Sequence, residues 1–411
     1  MLIALLLAAL LAKPDVLIIV LDDVGWTDFQ AVDTPNLDEL ADEGVLFHRA
    51  YAHPWCRPTR AALLFSVWDG ASYGNLCKLP TAFALPEIDS LPSILSGYST
   101  GLFGKWHLGN NNNIAFTAWE TPQLHGFDTW RAGTPDNIFS QACNSLDYTD
   151  WKRVDDGVVT PGVSTYNTIA VRDAWCDWWT NTPGEKMAVV AYQAAHEPFH
   201  IPPSSILPSS YTPPAQVGPR EQYEAMVQSL DFVLGEMLEV VDNDTWVFVF
   251  GDNGTPYNAL ASPSQDPLKV KHTTFEQGVH VPLVVRGPGA IPGDYFGPVN
   301  VADIMPTVSG LTMSLMPADR DGISFYGALI GMDSPRDWTY VHTKRGNPKG
   351  GLPGSDEAVI EERWKLREFD GTQTLYDLLY DPLEETPLDP DDPVYAVHVT
   401  RLRALLAQAR S

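Results

Sequence analysis

The chain has 411 residues, 44% of them hydrophobic, with 52 acidic against 26 basic side chains and a formal charge of −26. That length supports a large core, roughly two to three domains of average size. A polyanion of this kind repels nucleic acid and anionic membrane surfaces, so neither is expected as a partner.

Residues 1–12, MLIALLLAALLA, are apolar but fall short of the roughly 20 residues that span a bilayer. They resemble the hydrophobic region of a signal peptide, although no Lys or Arg precedes them and Leu10 and Ala12 make a poor cleavage site. The expectation is a periplasmic or secreted protein without a membrane span.

Residues 15–23, DVLIIVLDD, read as a strand buried on both faces, as in a parallel sheet, ending in Asp22 and Asp23. Residues 34–44 read as a helix with Thr34 as N-cap, Pro35 at its first position and Gly44 as its stop. The segment 53–64, HPWCRPTRAALL, holds Cys56 between two prolines, with Arg57 and Arg60. No second Cys stands near enough to make Cys56 a zinc ligand. Pro58 disfavours regular helix at Arg57 and predicts an extended presentation.

Residues 104–109, GKWHLG, place Lys105 and His107 two apart, so an extended chain would aim a cation and an imidazole at one anion. Next come the asparagine run 110–113, an aromatic-rich helix over 166–180, and a buried strand over 187–193 that leads to His196. The Pro- and Ser-rich stretch 201–218 reads as a loop, 220–241 as a helix, and 245–250 as a strand ending in Asp252 and Asn253. The loop KVKHTTFEQG carries Lys269, Lys271 and His272, and 279–286 supplies one more strand. Beyond about residue 336, short strands with turns precede a helix at 394–410.

Alternating strands and helices predict an α/β fold: a large, mostly parallel sheet flanked by helices, with a smaller C-terminal α+β part. Ligands in such sheets bind outside the carboxyl ends of the strands. Asp22, Asp23, Asp252 and Asn253 fall at such ends, and their hard oxygens suit Ca²⁺ or Mg²⁺ better than zinc. Of the four cysteines, the three besides Cys56 allow one disulfide, with Cys143–Cys176 as the guess.

CRPTR fits C-x-P-x-R, the core of the sulfatase signature. LDDVGW, GKWHLG, YQAAHEPFHIP, FGDNG, KHTTFEQGVHVPLVV, DIMPT and WKLREFDGTQTLYDLLYDPLEE resemble further blocks of that family, in family order. After Lys13, nearly the whole chain resembles the type I, formylglycine-dependent sulfatases of the alkaline phosphatase superfamily, nearest the arylsulfatases. The resemblance implies an alkaline-phosphatase-like fold, with a signal segment 1–12, a catalytic domain 13–335 and an antiparallel-sheet subdomain with a terminal helix over 336–411.

It also implies that Cys56 is oxidised by a formylglycine-generating enzyme to Cα-formylglycine. The hydrated aldehyde carries two hydroxyls, one to attack sulfur and a second whose collapse expels sulfate. By position, Asp22, Asp23, Asp252 and Asn253 would hold Ca²⁺, with Mg²⁺ as the alternative, together with residue 56. Arg60 would support residue 56, and Lys105 and Lys271 would grip sulfate oxygens. His107 would act as base toward residue 56, and His196 as acid toward the leaving oxygen, helped by Lys271. The substrate would be a sulfated small molecule or a sulfated carbohydrate.

Arg57, Thr59, Phe65, Ser66, Gln277 and His280 depart from the family pattern and bear on substrate preference. The alternatives are a phosphodiester or phosphonate monoester hydrolase using the same chemistry, and an anion-binding protein whose Cys56 stays unconverted.

Overall fold

Leu and β-branched residues fill 16–21, and the strand Asp15–Leu21 they form is buried from Val16 onward. In the computed structural model, which describes residues 13–68, 88–108, 121–139, 147–214, 216–260, 266–345 and 354–410, this strand lies at the heart of a ten-stranded sheet. Segment 1–12, the asparagine run 110–113 and Cys143 with its guessed disulfide lie outside the described residues.

The middle of the sheet runs, in spatial order, Leu283–Arg286, Thr245–Gly251, Asp15–Leu21, Lys186–Ala191, Ser99–Lys105 and Thr129–Thr134. The last five are mutually parallel, and Leu283–Arg286 is antiparallel to its neighbour. Two further strands extend each edge.

Side chains of the central strand alternate between two cores, as strand geometry requires. Val16, Ile18 and Val20 pack with Ala61 and Leu64 of the helix Cys56–Phe65 and with the helix Ile304–Leu311. Leu17, Ile19 and Leu21 pack on the opposite face with helices Pro35–Glu43, Asn167–Asn181 and Pro219–Leu238. Each fully buried aliphatic side chain contributes about 1.5–3 kcal/mol. The mixed α/β expectation is met, with helices on both faces.

Three local expectations are corrected. The run 279–286 forms two strands: His280–Val281 pairs with Ala50–Tyr51 in a small sheet, and only Leu283–Arg286 joins the large one. The break falls at Pro282, which has no N–H to donate, while its carbonyl accepts from Gly251 N–H (3.2 Å). The helix Pro35–Glu43 has its expected bounds, but the Thr34 side chain makes no capping bond. Asp231 reaches across from Pro219–Leu238 to accept from the backbone N–H groups of Asn36 (3.2 Å) and Leu37 (2.8 Å). Finally, helix Cys56–Phe65 runs straight through Pro58, because a proline in the first turn forfeits no intrahelical hydrogen bond.

The chain ends in a four-stranded antiparallel sheet in sequential order, Trp338–Arg345, Gly354–Glu361, Trp364–Phe369 and Thr372–Asp377. Helix Ala396–Ala409 covers it through Val399, Leu402 and Leu406, one face at helical spacing. The same cluster takes in Ala62 and Trp68, so this sheet packs directly beside the helix that begins at Cys56.

Candidate active site

Because the central strands are parallel, their carboxyl ends meet at one edge. Backbone bonds join three of the emerging segments there. Asp22 N–H donates to Ala194 O (3.1 Å), Ala195 N–H to Asp22 O (2.7 Å), and Asp252 N–H to Leu21 O (3.0 Å). Asp23 turns the chain with φ +64°. Gly254 allows the closest approach: a Cβ there would stand 1.9 Å from Gln277 O.

Cys56 opens its helix fully buried, with Sγ 3.3 Å from Asp22 Oδ1 and 3.5 Å from Lys271 Nζ. Arg60, one turn later on the same face, donates from Nη2 (2.9 Å) and Nε (3.2 Å) to Asp252 Oδ2 and from Nη1 to Lys105 O (2.9 Å). Its Nη2 also lies 3.5 Å from Asp22 Oδ2. The guanidinium thus ties together the ends of three strands, which explains an arginine four residues after the cysteine.

Lys105 Nζ pairs with Asp22 Oδ2 and Lys271 Nζ with Asp23 Oδ1. Asn253 donates from Nδ2 to the same Asp23 Oδ1 (2.8 Å), while its buried Oδ1 has no hydrogen-bond partner. Asp22, Asp23, Cys56 and His196 each offer a ligand atom within 4.8 Å of the others. Asp252 joins through Asp23 N–H (3.2 Å) and Arg60. An orphaned amide oxygen beside clustered carboxylates is a donor set of the kind a hard divalent cation takes.

His196 follows the strand Lys186–Ala191 by five residues. Its Nδ1–H donates to Glu197 O (3.0 Å), and Nε2 faces Asp23 Oδ2 at 3.9 Å. His107 departs from expectation. The strand stops at Lys105, and His107 takes φ +61°, so the two side chains do not share a target. Lys105 goes to Asp22, whereas His107 Nε2 meets Asp136 Oδ1 at 2.9 Å. The imidazole's other nitrogen, Nδ1, is buried without a hydrogen-bond partner. Arg57 Nε donates to His107 O (3.1 Å), tying the helix of Cys56 to this turn.

Asp136 escaped the sequence reading. The signal was available, since it lies two residues past the carboxyl end of the strand Thr129–Thr134, the same position rule that picked out Asp22, Asp23 and Asp252. His280, one of the departures, is spent on packing: it stacks on Trp26 (5.0 Å, 10°), and its Nε2–H donates to His48 O (2.9 Å).

The electrostatics follow from burial against compensation. Burial pushes the Asp22 carboxyl up, but Lys105, His196, Arg60 and Lys271 outweigh it and hold the group well below the carboxylate range. Burial, then the charge of Asp22, pushes Asp252 up to about 6 against Arg60. Burial disfavours charge on Lys271, yet Asp23 and its neighbours keep it firmly protonated. His107 is pushed down to about 3 by burial, against the pull of Asp136. Burial, then Asp22 and Asp252, drives the Cys56 thiol far above its ordinary range.

The model of the sulfatase family matches residues 14–314. The chain belongs to the sulfatase family. This sulfatase is 26% identical to human N-acetylgalactosamine-6-sulfatase, an alignment covering 96% of this chain and 85% of that one. It is also 26% identical to human arylsulfatase G, over 96% and 86% of the two chains. Among solved structures it is similar to Ps i-CgsB in complex with k-i-k-neocarrahexaose, with a TM-score of 0.78, 23% identity and coverage of 97% and 93%. BT4656, solved with its substrate D-glucosamine-2-N,6-O-disulfate, gives 0.76 at 18% identity over 97% of each chain. The alkaline-phosphatase-superfamily fold and sulfuric ester hydrolysis are thereby assigned to this sulfatase.

Proposed function

We propose that this sulfatase cleaves sulfate esters of carbohydrates, with residue 56 as nucleophile after Cys56 has become formylglycine, beside a divalent cation. The observation that carries the reading is the approach of Asp22 Oδ1 (3.3 Å) and Lys271 Nζ (3.5 Å) to Cys56 Sγ. Hydrated formylglycine, when present, supplies a hydroxyl nucleophile in the thiol's place and a second hydroxyl through which sulfate departs. A cation, Ca²⁺ or Mg²⁺, would supply a positive charge that favours an ionised oxygen there. Asp22, Asp23, Asp252 and the free Oδ1 of Asn253 would hold it, and that orphaned oxygen supports the fit.

The chain's own side chains divide the remaining work. Lys105, paired with Asp22, and Lys271, paired with Asp23, grip sulfate oxygens as charge shifts onto them. Arg60 keeps Asp22 and Asp252 in register. His196 donates its Nδ1–H to a carbonyl, so its Nε2 acts as the acid toward the leaving oxygen only once it carries a second proton, which burial disfavours and the nearby Asp23 carboxylate favours. His107 donates from Nε2 to Asp136, which leaves the Nδ1 lone pair to take a proton at residue 56.

Carbohydrate as the leaving group is supported by the relatives, one named for N-acetylgalactosamine and two solved with sugars. Maturation requires a formylglycine-generating enzyme. Cys56, 3% exposed in a helix, offers it no extended segment, so conversion precedes folding. The same reading exports the protein to the periplasm or exterior with 1–12 as signal segment, and assigns 13–335 to catalysis and 336–411 to a C-terminal subdomain. Among the described residues no helix is long and apolar enough to cross a membrane. The test is side-by-side turnover of sulfated monosaccharides and an aryl phosphodiester. Preference for the sulfated sugars is expected, and preference for the phosphodiester would reassign the substrate.

A further inference from the structure

Lys271 belongs to no helix or strand. Neighbours at the active edge fix part of its segment: Lys271 N–H donates to Thr255 O (3.0 Å) and His272 N–H to Pro54 O (2.9 Å). The rest is held from the C-terminal sheet and from Glu384 in the irregular chain that follows its last strand. Thr274 donates from both Oγ1 (2.6 Å) and N–H (3.2 Å) to Asp356, a carboxylate that Arg367 also holds at 2.9 Å. Glu276 N–H donates to Glu384 Oε2 (2.5 Å). Lys365 Nζ stands between two carboxylates, 2.9 Å from Glu276 Oε1 and 3.0 Å from Glu384 Oε1. Lys269, at the other end of the segment, donates to Glu384 O (2.6 Å).

Lys365, Glu384 and Asp356 are at most 1% exposed. Apolar contacts would hold this segment against the C-terminal sheet at less desolvation cost than buried charges do. What the charges add is direction, because each bond fixes one backbone or side-chain atom of an otherwise irregular segment. We infer that Lys365, Glu384 and Asp356 are positioning residues of the active centre, setting where the segment 269–276 lies and hence where Lys271 Nζ stands beside residue 56. The inference rests on the reading of Lys271 as a sulfate-gripping cation. Displacement of a reacting group by 1 Å costs about 100-fold in rate, so a remote latch has leverage.

The test is a double-mutant cycle on enzyme whose conversion at residue 56 is measured by mass, with a melting curve for every variant. Lys365→Met should lower kcat/KM about 10- to 100-fold while melting stays cooperative. Added to Lys271→Ala, it should cost less than about twofold more, because the cation it positions is already gone. Should Lys365→Met not fold, Glu384→Gln keeps the side chain's shape and is read the same way. Wild-type kcat and KM in either folded variant, or an undiminished further loss in the Lys271→Ala background, would overturn the positioning role. Failure of both to fold would make the cluster a structural one and overturn it equally. Wild-type kcat/KM in Lys271→Ala would instead overturn the reading of Lys271.

Discussion

At the scale of single residues, the proposed division of work between the two histidines rests on each having one ring nitrogen occupied. His196 gives Nδ1–H to Glu197 O, so its Nε2 faces the site. A nitrophenol departs as its anion, whereas a sugar hydroxyl needs a proton. His196→Ala should therefore slow sugar sulfates about 10²–10⁴-fold and activated aryl sulfates far less. A plot of log rate against leaving-group pKa should steepen, and an unchanged slope would reassign the acid. For His107, Asp136 fixes the tautomer and the ring. Asp136→Asn should lower kcat on both substrate classes alike, by on the order of 10²-fold or more, with KM little changed in steady-state assays. Cys56 and Arg60 were legible in the sequence because their relation is local, one helical turn. The place of Asp136 past a strand end was legible too, but its pairing with His107 was not, because the two lie 29 residues apart across a strand pair, and the left-handed turn at His107 has no composition signal.

At the scale of elements, hydrophobic runs were the reliable guide. Strands 15–21 and 245–251 and helix 35–43 appear almost where apolar patterning put them, because burial on two faces or one face writes itself into sequence. What a terminus bonds to is not local and was misread. Thr34 looked like the cap, yet Asp231, from a helix almost 200 positions away, takes the N–H groups. Asp231→Ala should cost about 1–2 kcal/mol of unfolding free energy. Thr34→Ala should stay within about 0.5 kcal/mol, since the Thr34 hydroxyl is buried without a partner. Chemical denaturation of the two variants decides between them. The split of 279–286 was announced by Pro282 in the sequence, and its reason is the donor that a central ladder needs.

At the scale of the whole molecule, a chain of charge −26 gathers Arg60, Lys105 and Lys271 beside three carboxylates at one sheet edge, so attraction of an anionic ester is a contact effect, with distant repulsion screened by salt. Stability also carries a titration signature away from that centre. Burial pushes His125 down to about 4. Unfolded, it takes up a proton near pH 6.5. The unfolded state thus binds more protons between about pH 6.5 and 4, and stability falls as pH falls through that window. His125→Gln should accordingly lose less Tm than wild type between pH 7 and 5. Equal losses would show that this histidine does not contribute.

The central claim is that residue 56 works only after its thiol has been replaced. Trypsin spares the bond between Arg57 and Pro58, so residues 50–60, AYAHPWCRPTR, emerge as one peptide. Its mass, taken on preparations of differing specific activity, tests the claim directly. The account predicts a species lighter by about 18 Da, the exchange of CH₂SH for CHO, whose fraction rises in proportion to sulfatase kcat. Full turnover by a preparation in which Cys56 remains an intact, alkylatable thiol would contradict it.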